Sequence, residues 1–455
     1  MNRIASRASA AVILVLVLLG GLVFFVAEYF QKAQDWVLFS GSPHVYSNGK
    51  LGSGVITDRE GILLADLRDG RSYCDDALLR EAVLHWAGDR QGNVSVPYMN
   101  HYTEALLGYE PVQALYQYGE NSGILTLTLS SQLQKAALEA IGDRRGTLAI
   151  YNYRTGEILC AVSTPTFDPD NVPDIAGDTT GAYTGVYVNR FLQSAYTPGS
   201  IFKIVTLAAV LESAPELLDA RFDCQGTYKM SGGKVSCTGV HGQQNLQEAF
   251  RNSCNCAFAQ ITEQLGKDRL EAFVVKSGLL DSLSFDGFVT QGGNFDLENA
   301  SPQQLAWSGI GQHRDLVNPC GFLAFLGAIA GEGSGALPYC VAQVAAGDKI
   351  TYTAERKMGE VILSPETAHR LREYMGLNVT EKYGAEHFPG FTVCAKSGTA
   401  ETGGGREPNA MFAGFLADAQ YPFAFIVAVE EGGYGAQTCI PILQKVLEAC
   451  KQEIG

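Results

Sequence analysis

Basic residues are scarce in this chain. Its 33 lysines and arginines are outweighed by 48 aspartates and glutamates, leaving a formal net charge of −15. That argues against a nucleic-acid binder, whose phosphate contacts need a basic surface. Charge is sparse altogether, at 18% of residues against 46% apolar, which is the composition of globular material and not of a disordered tail. No internal repeat and no long low-complexity tract stands out in the 455 residues, a length suited to two or three domains. A Cys-x-x-Cys ladder is absent too, so a zinc site is not expected.

One long apolar run is present. Residues 8–27, ASAAVILVLVLLGGLVFFVA, carry no charge, and 20 residues of helix span a hydrocarbon core of about 30 Å. Arg3 and Arg7 precede the run and Glu28 follows it, so the positive-inside bias places the N-terminus in the cytoplasm and the rest beyond the membrane. Phe25 fits a cleavage site poorly, which favours a retained anchor over a signal peptide.

Eleven cysteines are present, an odd number that cannot all pair within the chain. Cys224 and Cys237 flank a short Gly-rich loop and are the expected bridge; Cys254 and Cys256 read as small buried thiols. His241 reads as a loop histidine bonded to backbone. So many thiols outside the cytoplasm suit a reducing habitat.

Past the anchor, SGVITDREGILLADL (53–67) reads as strand, turn and returning strand, and DDALLREAVLHWAG (75–88) as a helix with Leu78, Leu79, Ala82 and Val83 on one face. His85 and Trp86 read as packing and capping residues. From Gly123 a Thr/Leu strand leads into a helix that Ser130 or Ser131 caps, then a hairpin (145–165) turns at Asn152–Gly156. Helices are expected at 200–213, 245–265, 302–332, 365–376 and 440–452, and consecutive antiparallel strands at 391–401, 409–418 and 422–431. The expected fold is α/β, a sheet flanked by helices.

Three short motifs carry chemistry. In AYTPGSIFKIVTLAAVLE (195–212), Lys203 sits in an apolar helix three residues after Ser200, on the same face. The helix N-terminus favours an alkoxide at Ser200, and a desolvated lysine loses its proton near neutral pH and serves as a base. In RNSCNCAFAQITEQLG (251–266), Ser253 and Asn255 open another apolar helix. In CAKSGTAETG (394–403), Lys396, Ser397, Gly398 and Thr399 lie in a strand, a glycine among two hydroxyls and a cation that suits a carboxylate. Singly, each has a bland reading as cap or edge strand.

In this order, Ser-x-x-Lys, Ser-x-Asn and Lys-Ser-Gly make the chain resemble the class B penicillin-binding proteins, in their penicillin-binding protein A-like subgroup. TGEILCAVSTPTFDPDNV, SGIGQ (308–312), VITDREGILLAD and HWAGDRQGNVSVPYMNHYTEALLGY agree with that resemblance, which covers the chain after the anchor. Ser53-Gly54, Ile201 and His313 depart from the family pattern without touching the reacting groups.

The resemblance implies a penicillin-binding transpeptidase (serine β-lactamase-like) domain at 121–455, a pedestal at 31–120, and a cytoplasmic tip and anchor at 1–30. It implies a monofunctional D,D-transpeptidase of the bacterial cell membrane, single-pass, with its catalytic domain extracytoplasmic. The substrate would be a peptidoglycan stem peptide ending in D-Ala-D-Ala. Ser200 would be the nucleophile, Lys203 its base, Ser253 a proton relay and Asn255 a positioning group. Backbone N–H groups of Ser200 and Thr399 would form the oxyanion hole, and Lys396, Ser397 and Thr399 would bind the terminal carboxylate beside Gly398. β-Lactams would acylate Ser200; no metal or organic cofactor is implied, and a membrane glycan polymerase is an expected partner. A D,D-carboxypeptidase, a β-lactamase or sensor, and an inactive scaffold are the rival readings.

Overall fold

The computed structural model describes residues 2–37, 46–47, 50–51, 54–68, 71–107 and 123–454. Ser53 and residues 108–109, which belong to the pedestal resemblance, lie outside them.

Helix α1 (Asn2–Val37) contains a candidate membrane span, Ile4–Lys32, whose most apolar 18-residue window has a mean hydropathy of 3.0 and is not buried at all. An unburied apolar helix of that length fits a membrane and not a protein core. Next come β1 (Val55–Thr57), β2 (Leu63–Asp66) and β3 (Ser72–Tyr73). Asp58 makes the β1–β2 turn, its Oδ1 accepting from the N–H groups of Glu60 at 2.9 Å and Ile62 at 2.8 Å. Its Oδ2 accepts from the Ser131 N–H, which ties this turn to the next helix. The helix expected at 75–88 breaks at Val83 into Ala77–Ala82 and Leu84–Ala87. His85 and Trp86 are buried there and bond the carbonyls of Val186 and Ala161.

Strand β4 (Ile124–Leu127) leads to α2 (Ser131–Ile141), capped by Ser130 Oγ, and to the hairpin β5 (Gly146–Asn152) and β6 (Ile158–Thr164). Helix α3 (Lys203–Ser213) follows a single 3-10 turn, Gly199–Phe202. Four short strands, β7 (Phe222–Cys224), β8 (Thr227–Met230), β9 (Gly233–Ser236) and β10 (Gly242–Gln244), pair as β7 with β10 and β8 with β9. The helix expected at 245–265 is broken at Ser253 into α4 (Leu246–Asn252) and α5 (Asn255–Leu265). That expected at 302–332 is likewise two helices, α6 (Pro302–Ser308) and α7 (Pro319–Ala330), each started by a proline and a capping side chain.

The last third contains the hairpin β11 (Val341–Ala346) and β12 (Lys349–Thr353), helix α8 (Pro365–Asn378), strands β13 (Val393–Ala400), β14 (Asn409–Leu416) and β15 (Phe423–Val429), and helix α9 (Gly435–Ile454). Two sheets organise the molecule. The first, in order β12-β11-β4-β1-β2-β3, draws strands from both sides of residue 120. The second, β13-β14-β15-β5-β6, is antiparallel throughout.

That second sheet is buried on both faces, which is why β15 reads as the unbroken apolar run FAFIVAV. Alternation sorts its residues: Leu148, Ile150, Phe412, Phe425 and Val427 pack with Leu133, Leu443 and Val446 of α2 and α9. Ala149, Tyr151, Ala413, Ile426 and Ala428 face the opposite cluster, which holds Ile204 and Val205 of α3 and Phe322 of α7. The β13 edge and the start of α3 are thereby brought together.

Candidate active site

Pro198 and Gly199 set the turn that carries Ser200. Gly199 has φ +54°, and a Cβ there would lie 2.7 Å from the Thr399 carbonyl oxygen, so only glycine lets the turn approach β13. Gly398 answers from the strand: a Cβ on it would lie 2.9 Å from the Pro198 carbonyl oxygen. The Gly199 N–H donates to Gly311 O at 2.9 Å, so the SGIGQ segment braces the same turn. In a 3-10 turn residues i and i+3 eclipse, which places Ser200 and Lys203 side by side.

Lys203 is fully buried. Its Nζ lies 3.0 Å from Ser200 Oγ, 2.7 Å from Asn255 Oδ1, 2.8 Å from Ser253 O and 3.2 Å from Ser253 Oγ. The Phe258 ring lies 5.5 Å away. Desolvation lowers the Lys203 pKa to about 7, so a large fraction of the amine is neutral at physiological pH.

Ser253 occupies the left-handed region, φ 52° and ψ 38°, as the C-cap of α4. A non-glycine residue there is strained, and the kink turns both its carbonyl and its hydroxyl toward Lys203. Asn255, the first residue of α5, is held from its other end by Ser236 O, 3.2 Å from its Nδ2.

Lys396 reaches the site from beneath Ser253. Its side chain is fully buried and donates to Ser253 Oγ at 3.0 Å and to Ser397 O at 2.8 Å. Its Nζ thus joins Lys203 Nζ on the same Ser253 hydroxyl. Burial, followed by the charges of Lys203 and Lys382, pushes its pKa well below the usual lysine range. Ser397 and Thr399 are half-buried, on the side of β13 opposite Lys396 in the strand alternation.

Tyr383 escapes the sequence reading. Its buried hydroxyl accepts from the Ser397 N–H at 3.0 Å and shares a hydrogen bond with Ser397 Oγ at 3.0 Å. It lies on a π-helical turn, Val379–Tyr383, that extends α8, and no sequence motif marks it.

The cysteine expectations need correction. All eleven cysteines are free thiols, so Cys224 and Cys237 form no bridge. His241 meets thiols and not backbone with its ring: its Nδ1 lies 3.6 Å from Cys224 Sγ and 3.5 Å from Cys237 Sγ. The absence of a Cys-x-x-Cys ladder hid a cluster assembled from separate turns.

Comparison with known proteins shows the family and the fold. The family described as "Penicillin binding protein transpeptidase domain" matches residues 146–448. The peptidoglycan D,D-transpeptidase PbpA of Mycolicibacterium smegmatis is 29% identical over 389 residues, covering 78% of each chain. Stage V sporulation protein D of Bacillus subtilis is 30% identical over 334 residues, 68% of this chain and 50% of its own. Among solved structures, the D,D-transpeptidase domain of a peptidoglycan glycosyltransferase from Eggerthella lenta superposes with a TM-score of 0.76 at 26% identity, covering 89% of this chain and 99% of that one. The ceftriaxone acyl-enzyme of penicillin-binding protein A from M. tuberculosis gives a TM-score of 0.77 at 24% identity, over 87% and 98%.

Proposed function

The chain belongs to the penicillin-binding protein transpeptidase family, as a class B member of the PbpA type, and on that premise we propose how its residues cross-link peptidoglycan stem peptides. The observation that carries the reading is the continuous chain Ser200–Lys203–Ser253–Lys396, every link within 3.2 Å.

Neutral Lys203 takes the Ser200 proton as Oγ attacks the carbonyl of the penultimate D-Ala, a step in which a placed base contributes roughly 10²–10⁴-fold. The Ser200 and Thr399 N–H groups receive the developing oxyanion, each donor worth roughly 3 kcal/mol. Ser253, between the two amines, passes a proton to the departing D-Ala nitrogen. Asn255 holds Lys203 at Ser200. Lys396, Ser397 and Thr399 bind the terminal carboxylate beside Gly398. The acceptor strand's amine then enters along the path the D-Ala left, and the same groups run in reverse. A β-lactam enters as an acyl donor and remains on Ser200.

Helix α1 anchors the enzyme with Arg3 and Arg7 inside and the catalytic domain extracytoplasmic. Residues 31–120 form the pedestal, completed by β4 and the β11–β12 hairpin from the transpeptidase domain, 121–455. A membrane glycan polymerase is the partner that the family resemblance implies.

A stem-peptide donor incubated with an amine acceptor tests the reaction. Amide product with released D-Ala is expected. Hydrolysis alone would make the protein a carboxypeptidase instead.

A further inference from the structure

Four metal-ligating side chains meet directly behind the Ser253–Asn255 kink. Cys224 ends β7, Cys237 follows β9, His241 precedes β10, and Cys254 is the N-cap of α5. Their Sγ and Nδ1 atoms all lie within 4.8 Å of one another. Cys237 and Cys254 are 3.8 Å apart at sulfur, and His241 Nδ1 is 3.5 and 3.6 Å from Cys237 and Cys224. A tetrahedral ion with Zn–S near 2.3 Å and Zn–N near 2.0–2.1 Å requires edges of about 3.8 Å between sulfurs and about 3.5–3.6 Å from sulfur to nitrogen. A disulfide would need its sulfurs near 2.05 Å.

We propose that Cys224, Cys237, His241 and Cys254 bind one divalent soft metal ion, zinc, as a closed structural site that fixes the Ser253–Asn255 segment. Three thiolates and an imidazole in a tetrahedron select zinc over oxygen-seeking cations. Binding releases the three thiol protons to solvent. The Ala257 N–H donates to Cys254 Sγ at 3.3 Å, a hydrogen bond that supports a thiolate at a helix start. Cys256, two residues on, neighbours Cys224 and Cys237 and bonds Val235 O, but its sulfur is not among the four clustered ligand atoms.

The consequence for the enzyme follows from chain connectivity. Cys254 is flanked by Ser253 and Asn255, and Ser236, which holds the Asn255 amide, precedes Cys237. The ion therefore clamps both supports of Asn255 and holds Ser253 in its left-handed conformation. The ligands are positioning residues. This consequence rests on the transpeptidase reading, whereas metal content does not, so the two fail separately.

The test begins with the full chain purified in detergent without chelator. Elemental analysis is expected to give about one zinc per chain, and exchange with cobalt to give the intense visible bands of a tetrahedral thiolate site. Cys256→Ser is expected to keep the metal, and His241→Ala to lose it. Chelator-stripped wild-type protein is expected to acylate with a β-lactam about tenfold or more slowly, with recovery on adding zinc back. Metal-free protein with no cobalt spectrum, or a mapped Cys224–Cys237 disulfide, overturns the site. Full acylation after stripping overturns its positioning role.

Discussion

Lys203 and Lys396 share one hydroxyl, with their Nζ atoms 3.2 and 3.0 Å from Ser253 Oγ. Among the described residues, no carboxylate hydrogen-bonds either amine. Two ammonium ions around one hydroxyl repel, and burial penalises both, so the site favours fewer protons than two free lysines would hold.

The pH dependence of acylation follows. As the proposed base, Lys203 acts unprotonated, so the β-lactam acylation rate is expected to rise through about pH 7 and level off above it. The positive Lys382 lowers the Lys203 pKa further, after desolvation. Lys382→Met removes a positive neighbour and moves the inflection to higher pH. Stopped-flow acylation across pH reads both effects; an inflection unmoved by Lys382→Met would contradict this electrostatic account.

Stability shares the same linkage. Folded Lys203 titrates below its unfolded value of 10.5, so between about pH 7 and that value the unfolded chain binds more protons. The contribution of this residue to stability therefore rises with pH across that window. Melting curves of wild type and Lys203→Met, compared at several pH values, check the sign: the difference between them changes steadily above pH 7 and is flat below it.

Tyr383→Phe removes the acceptor of a buried Ser397 N–H, a loss of about 1–3 kcal/mol where nothing replaces it. With Ser397 as a proposed carboxylate ligand, the expected change is a several-fold rise in KM for a stem-peptide donor with a smaller change in kcat. Steady-state kinetics separates the two.

Gly199→Ala pushes a Cβ to 2.7 Å from the Thr399 carbonyl oxygen at a φ of +54°. The nucleophile turn must retreat from β13, opening the oxyanion hole. Acylation is expected to fall at least tenfold while circular dichroism keeps the wild-type helix and strand content.

Much of this was legible in residue order because each motif sits where a regular element begins or ends. The strands 391–401, 409–418 and 422–431 were readable because double-sided burial demands continuous apolar runs. The break at Ser253 was not, since a serine in the left-handed region is imposed by its tertiary contacts and not by propensity. The β11–β12 hairpin is short and half-exposed, so it carries little pattern, and it joins a sheet whose other strands lie more than 200 residues upstream. Burial of Lys396 was hidden for a related reason. Its place in the strand gives a face, and only the fold shows that α4 and α5 cover it with Phe250 and Ser253. Cys224, Cys237, His241 and Cys254 are spread over four turns, a spacing that resembles no local metal motif.

The account turns on Ser200 as the nucleophile primed by Lys203, and labelling with a fluorescent penicillin tests it most directly. Wild-type protein is expected to carry one stable adduct, mapped by mass spectrometry to Ser200, and Ser200→Ala none. Equal labelling of the alanine variant would contradict it.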